Sequence, residues 1–477
     1  MTTRRALERA GVASIWAGLT SIVVYAWAVI ARSSWRSEDY YWSLAVGRWM
    51  MHHHALMRAD VFSYTMHGRP EVLTEWLYDW GLAALVHADA GAVGPVMLGI
   101  WAAGMATSVW YLRRVGASWG RVGLVGAVLG VVNTALEMQG RALGLSLILV
   151  PAVLLITRAG RDNPRWLWLL GPLFALWVNV HGSVLLGLVI VLVEAFWAWV
   201  PATWMAGMGG RSTKRGALAW AVGASVVGAS VSPWGPGLLA YDLRLSHNAQ
   251  IAALINEWQS PNLASVLWMV VLLAVAGVLG RALWLRRGEA VLVSLAVGCT
   301  LGWLHAIRFA PYMLLTVGAL FVSDPAPVAA RRYALGLGAA AAALSIVVTV
   351  NSVTVPPSRI GPALTMAPRG AVSFLHTQKS GRVFTYYDWS SYGISRGIAS
   401  FVDGRVDFFT GRILGIYMNV SDGASPVSAL APWHVRYVLW PSRTTLSTEL
   451  SQDPAWRLIY HHGIVEVFER AGSRANG

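Results

Sequence analysis

The sequence predicts a polytopic α-helical membrane protein with a small α/β domain at its C-terminal end. Three observations predict it. Apolar runs recur from near the N-terminus to about residue 351. Charged residues are 13% of the 477, where a soluble globular protein carries about 25%, and the mean hydropathy is +0.52. After about residue 352 the texture changes to short apolar runs separated by polar and helical stretches. The formal net charge of +14 fits either a nucleic-acid binder or a membrane protein with basic cytoplasmic loops, so the positions of the arginines decide between them. A single cysteine, Cys299, cannot form an internal disulfide and says nothing about compartment.

A membrane helix needs about 20 mostly apolar residues. Eleven segments approach that length: 12–31, 92–112, 122–138, 142–157, 166–180, 183–202, 217–232, 264–284, 289–305, 309–323 and 333–351. The first reads as an anchor, because it is long for a signal peptide and no small-residue cleavage site follows it. The polar turn Gln139-Gly140-Arg141 divides the third from the fourth. With eleven spans, six groups of basic residues fall on one side: Arg4, Arg5 and Arg9; Arg113, Arg114 and Arg121; Arg158, Arg161 and Arg165; Arg211, Lys214 and Arg215; Arg281, Arg286 and Arg287; Arg331 and Arg332. The positive-inside rule makes that side cytoplasmic. The basic residues are spread over short loops and form no single patch, which removes the footing of a nucleic-acid reading.

The opposite side then holds the loop 32–91, the connection 233–263 and the C-terminal region 352–477. The loop is rich in Trp and Tyr, as befits a bilayer interface. Residues 39–50 and 74–82 repeat apolar residues at helical spacing and are expected as two helices lying along the membrane surface. Ser37 is placed to cap the first, with Glu38 and Asp39 in its first turn. In the C-terminal region, Arg382–Tyr386, Ile398–Val402, Tyr437–Trp440 and Ile464–Phe468 read as strands, with helices near 370–376, 411–420 and 447–452. This alternation predicts a small extracytoplasmic α/β domain. The division is therefore 1–351 for the membrane domain, with the loop 32–91 in it, and 352–477 for the outer domain.

Ser37-Glu38-Asp39-Tyr40-Tyr41-Trp42 poses the functional question. Acids in a helix's first turn are common caps that need no chemistry. Yet Asp60, Glu75, Glu137, Arg141, Asn179, His181, Glu257 and Arg308 lie at span ends on the same predicted face. Ionisable groups there are costly unless they face a polar cavity. Carboxylates mixed with Arg and His suit an anionic lipid head group together with a polar co-substrate. Each residue also has a plain structural reading. Arg308 is placed to snorkel to lipid phosphates, Arg141 to pair with Glu137 one turn earlier, His181 to cap the preceding helix, and Glu257-Trp258 to anchor an interfacial helix. Glu194, inside an apolar run, calls for a polar neighbour in the bundle. The triplet His52-His53-His54 does not have the i,i+3 or i,i+4 spacing that zinc ligands on a helix need. Asp403-Gly404-Arg405 reads first as a turn after a strand and second as an acceptor-binding element, with Asp388 and Asp407 beside it in that second reading.

Several motifs together resemble bacterial multispanning proteins of the GT-C glycosyltransferase superfamily, in an uncharacterised branch. They are Asp39-x-x-Trp42-x-x-Ala45-x-Gly47, Asp60-Val-Phe-Ser-Tyr-Thr65 with Gly68, and Glu75-Trp76-Leu77. Later come Trp177-Val-Asn179-Val-His181-Gly182, Ser232-Pro233-Trp234-Gly235, Glu257-Trp258-Gln259-Ser260-Pro261, Arg308-Phe-Ala-Pro311 and Phe401-Val-Asp403-Gly404-Arg405-Val-Asp407. The resemblance implies a multi-pass protein of the bacterial cytoplasmic membrane that moves a sugar from a polyprenyl-phosphate donor to a glycan, lipid or protein acceptor on the outer face. It places a catalytic carboxylate at the start of the first outer loop, where Asp39 stands. Asp60 and Glu75 are the alternatives as base. Glu38, Arg141, Asn179, His181, Glu257 and Arg308 are the candidate substrate-binding residues, the arginines because their guanidinium forks match phosphate oxygens. No Asp-x-Asp is present, only Glu38-Asp39, so a divalent metal is not indicated, and no other cofactor is expected. No Gly-rich phosphate fingerprint points to a nucleotide-sugar donor. Two other functions compete. A transporter predicts ionisable residues at the bilayer midplane and an internal repeat, and neither is seen. A non-catalytic lipid-linked-glycan binding or envelope-assembly protein shares every motif.

Overall fold

The computed structural model describes residues 37–116, 119–137, 140–201, 213–245, 255–285, 288–324, 367–409, 411–423 and 426–471. The first and last expected spans lie outside these residues, as do Arg4, Arg5, Arg9, Arg211, Arg286, Arg287, Arg331 and Arg332. The chain opens with α1 (Glu38–His53) and α2 (Trp76–Asp89). Ten helices follow: α3 (Val93–Val115), α4 (Trp119–Glu137), α5 (Leu143–Gly160), α6 (Leu170–Trp177), α7 (Val184–Trp199), α8 (Arg215–Ala229), α9 (Gly237–Leu245), α10 (Val266–Trp284), α11 (Ala290–His305) and α12 (Ala310–Ser323). The last part holds α13 (Arg369–Thr377), β1 (Arg382–Thr385), α14 (Tyr387–Ser395), α15 (Arg412–Ser421), α16 (Pro426–Leu430), β2 (Val435–Pro441), α17 (Thr445–Gln452), β3 (Trp456–His462) and β4 (Val465–Arg470). Contacts divide the chain into two units. One comprises residues 1–33 and 91–354, and the other residues 34–90 and 355–477.

Every named element among the first unit's described residues is a helix. Nine of the eleven expected segments coincide with helices, from α3 to α12. Three of these, α3, α5 and α10, are long and apolar enough to cross a membrane, and the other apolar helices are shorter. The segment expected as one span at 166–180 is instead a 3-10 turn, Pro164–Leu169, followed by the short α6. Asn163 caps that turn and Pro164 occupies its first position, where the missing N–H costs nothing. Helix α10 leaves Val266, Leu267, Val270, Leu273 and Trp284 exposed. An apolar face of that extent suits lipid better than water. The buried acid Glu194 of α7 has the polar neighbour it requires, since Arg161 donates to it at 2.7 Å.

The second unit joins α1 and α2 to a four-stranded sheet of order β1-β2-β4-β3. β1 and β2 run parallel, and the other pairs are antiparallel. Ala371, Val372, Leu375, Val383, Trp389, Tyr392, Leu439 and Val467 form the core, with Tyr41 of α1 packed against it. α1 and α2 meet at Gly47, where any Cβ would run into the backbone carbonyl of Asp79 and the methyl of Ala83. Residues 58–71 fold back on themselves through an Ala59–Pro70 bridge, and Ser63 pairs with Ser400.

Two expectations for this unit are corrected. Ile398–Val402 is not a strand, because Ile398 bonds back to Gly393 and only Ser400 pairs across, with Phe62 and Tyr64, in one isolated bridge that builds no ladder. Strand β3 was not expected, because Arg457, His461 and His462 give this sheet edge no apolar alternation.

Candidate functional site

Ser37 is the N-cap of α1, accepting from the Tyr40 N–H at 3.4 Å. Capping occupies only the serine, and the acids beside it have other partners. The hydroxyls of Ser390 and Ser391, in α14, each donate to Glu38 Oε1 at 3.1 Å. Gly404 lies so near that a Cβ there would stand 3.0 Å from the same oxygen. The Tyr387 hydroxyl donates to the Gly404 carbonyl at 3.0 Å. Burial pushes the Glu38 carboxyl well above the usual range, and the charges of Asp39, Asp388 and Asp403 push the same way, against the Ser390 bond. The first turn of α1 thus gathers acids from α14 and from the 401–407 segment.

Behind Asp403 stands one buried arginine. Arg405 donates to Asp403 through Nε at 2.8 Å and Nη2 at 2.7 Å, to Asp60 at 2.6 Å and to Glu71 at 2.8 Å. The Trp42 ring covers the guanidinium at 4.2 Å. Asp60 also accepts from the Ser63 hydroxyl at 2.6 Å and from the Ser63 backbone at 3.1 Å. Three acids therefore share one cation away from water. Burial raises the Glu71 carboxyl to about 8, Arg405 opposes the rise, and Asp407 and Asp403 add to it. Asp403-Gly404-Arg405 is thus a bracket for buried acids, with four guanidinium N–H bonds directed inward. Asp60 is held in the same bracket, whereas Glu75 sits half-buried at the N-cap position of α2.

The helical unit has its own polar group. Arg141 forms an ion pair with Glu257, while the side chain of Glu137, the partner expected from the sequence, lies outside the described residues. Arg308 lies over the Trp258 ring at 4.2 Å. His181 closes the preceding helix α6 through its backbone N–H, which donates to the Trp177 carbonyl at 3.0 Å, and its ring serves the next one. Its Nδ1 accepts from the Ser183 N–H at 3.0 Å, at the start of the following helix α7, and meets the hydroxyls of Ser183 at 2.7 Å and Ser146 at 3.3 Å. A backbone N–H can only donate, so the neutral ring carries its proton on Nε2. Burial holds His181 well below its ordinary value, and Arg308 and Arg141 add to that. Four of the expected residues, Arg141, His181, Glu257 and Arg308, are brought together here. The Asn179 amide donates to the Ala175 and Val231 carbonyls at 2.7 Å each.

Among the described residues, no group of three or more His, Cys, Asp or Glu converges as a metal site. His53 stacks on Trp49 and bonds its carbonyl, and His54 ends α1 in the left-handed conformation. Sequence reasoning missed Glu71, Asp79, Tyr387, Ser390 and Ser391. Only Asp79 carried a local signal, as an acid among Tyr78, Leu82 and Ala83 on the apolar stripe of α2.

No known sequence family matches this chain, and no curated protein does. Its fold is nevertheless found among solved structures. One is the apo form of the oligosaccharyltransferase of Archaeoglobus fulgidus, with a TM-score of 0.54 at 12% identity over 89% of this chain and 69% of that one. This likeness is one of fold.

Proposed function

We propose that this protein is a membrane glycosyltransferase of the GT-C type, taking a sugar from a polyprenyl-phosphate donor to a glycan, lipid or protein acceptor. The observation that carries the reading is the gathering of acids on the first turn of α1, in a chain folded like an oligosaccharyltransferase. In this reading the chain crosses a bacterial cytoplasmic membrane eleven times, with its C-terminal domain outside. Asp39 takes the acceptor's proton while the acceptor oxygen bonds the anomeric carbon. The bond from that carbon to phosphate breaks, and the carrier leaves as polyprenyl phosphate with the electron pair. Arg141 and Arg308 stabilise the charge on the phosphate, with His181 adding an Nε2–H donor.

The test uses purified protein in lipid nanodiscs with a panel of polyprenyl-phosphate sugars and an acceptor extract. Free polyprenyl phosphate is followed for wild type and Asp39→Asn. Release by wild type alone is the expected result. Release by both keeps the transferase and moves the base to Glu75 or Asp60. Donor binding without release by either, across acceptors of all three classes, overturns catalysis in favour of lipid-linked-glycan binding.

A further inference from the structure

Asp79 has no place in the machinery so far. It lies on the buried stripe of α2 with Tyr78, Leu82 and Ala83, and only 3% of it is exposed. It faces α1, where the Ser43 side chain hydrogen-bonds it. Its Oδ1 is buried without a hydrogen-bond partner. One turn past Ser43, the two helices are in backbone contact at Gly47, so little space remains for solvent to reach this carboxyl. An ionised carboxylate with an orphaned oxygen and no cation is among the costliest groups to bury, and the neutral acid is far cheaper. One turn before Ser43, on the same side of α1, stands Asp39. Asp39 is the charged group of α1 that acts on Asp79, and on α2 itself Glu75 and Tyr78 lie nearby.

We propose that Asp79 is a positioning residue for Asp39: a buried carboxyl that stays protonated and so sets no second charge against the first turn of α1. The proposal rests on Asp39 being the base of the reaction above. Burial, then the charge of Asp39, against the Ser43 bond, brings the Asp79 carboxyl to about 8. Ionisation above that pH sets two carboxylates against each other across the α1–α2 contact and displaces the first turn of α1, which carries both Glu38 and Asp39.

Two readouts test this, and the first needs no activity. Infrared difference spectra of the nanodisc protein are recorded across alkaline titration for wild type, Asp79→Asn and Ser43→Ala. Wild type is expected to lose a protonated-carboxyl band near pH 8 that Asp79→Asn lacks. Ser43→Ala removes a bond favouring the charged form, so it moves that titration to higher pH. A wild-type band unchanged by Asp79→Asn, or a Ser43→Ala shift to lower pH, overturns the proposal. The second readout is the pH profile of polyprenyl-phosphate release. Wild type is expected to fall about tenfold through the alkaline range as Asp79 ionises. Asp79→Asn, neutral at every pH and nearly the same shape, keeps its neutral-pH turnover and loses the alkaline fall. An Asp79→Asn protein that is folded, with an unchanged thermal midpoint, yet as inactive as Asp39→Asn, makes Asp79 chemical and overturns the positioning role. If wild type releases nothing, glycosyl transfer fails separately, and the infrared spectra alone uphold or overturn the protonated Asp79.

Discussion

Each unit buries arginines among acids, but in opposite proportion. In the helical unit, Arg158 and Arg161 share Glu194 and Glu289, two cations for two anions. In the other unit, Arg405 alone faces Asp60, Glu71 and Asp403. The balanced cluster works as a rivet between α5, α7 and the start of α11. The unbalanced cluster carries excess negative charge away from water, and the cheapest relief is to keep a proton. Glu71 and Glu38 are both displaced upward for that reason. The same device appears a third time in Asp79, with no arginine at all. The helical unit holds charge by pairing, and the other unit holds it partly by protonation, next to the acids proposed to do the chemistry.

The most severe way to break this comparison is Arg405→Met. Removing one partner of a buried ion pair costs about 3–5 kcal/mol, and here it strands three acids. The expected result is a large drop in the denaturation midpoint, with residues 37–90 and 367–471 becoming protease-sensitive first; an unchanged midpoint refutes the central role of Arg405. A pH series comes next. Glu71 holds its proton in the folded state up to about 8, against an ordinary value of 4.5. Its contribution is complete below about 4.5 and is lost as pH rises through about 8. Thermal midpoints of wild type should therefore fall over that window, and Glu71→Gln should flatten part of the slope. Asp79→Asn should remove a further part. In the helical unit, Glu194→Gln should cost only about 1–2 kcal/mol, because Arg161 retains Glu289. A loss as large as that of Arg405→Met would erase the contrast. The smallest effect is that of Ser37→Ala. A missing N-cap costs about 0.5 kcal/mol at the low end, and a 3.4 Å bond belongs there. A loss of release far beyond that cost would mean that Ser37 touches substrate.

Much of this was legible in the residues. Apolar runs mark nine of the observed helices, and Ser37 announces the start of α1 through capping chemistry alone. Arg141, His181, Glu257 and Arg308 were singled out by polarity at span ends, and they do converge. Other readings lacked the partner's identity. His181 was expected to cap the helix before it, as its backbone N–H does, but its ring also accepts from the N-cap residue Ser183 of the helix after it. Asp403-Gly404-Arg405 read first as a turn, and nothing local revealed its partners Asp60 and Glu71.

The sequence by itself determined where most of the helices form and which stretches of them are apolar. Those properties depend on neighbours three or four residues apart, and short-range sterics and burial decide them. Only the tertiary structure decided which acids hold a proton and which share a cation. Glu38 meets Ser390 across 352 positions, and Arg405 meets Asp60 across 345 and Glu71 across 334. A carboxylate's charge state depends on what lies within a few ångströms of it. At such separations that is fixed by the path of the whole chain, so the surroundings of Glu38 were set only when the chain returned to it.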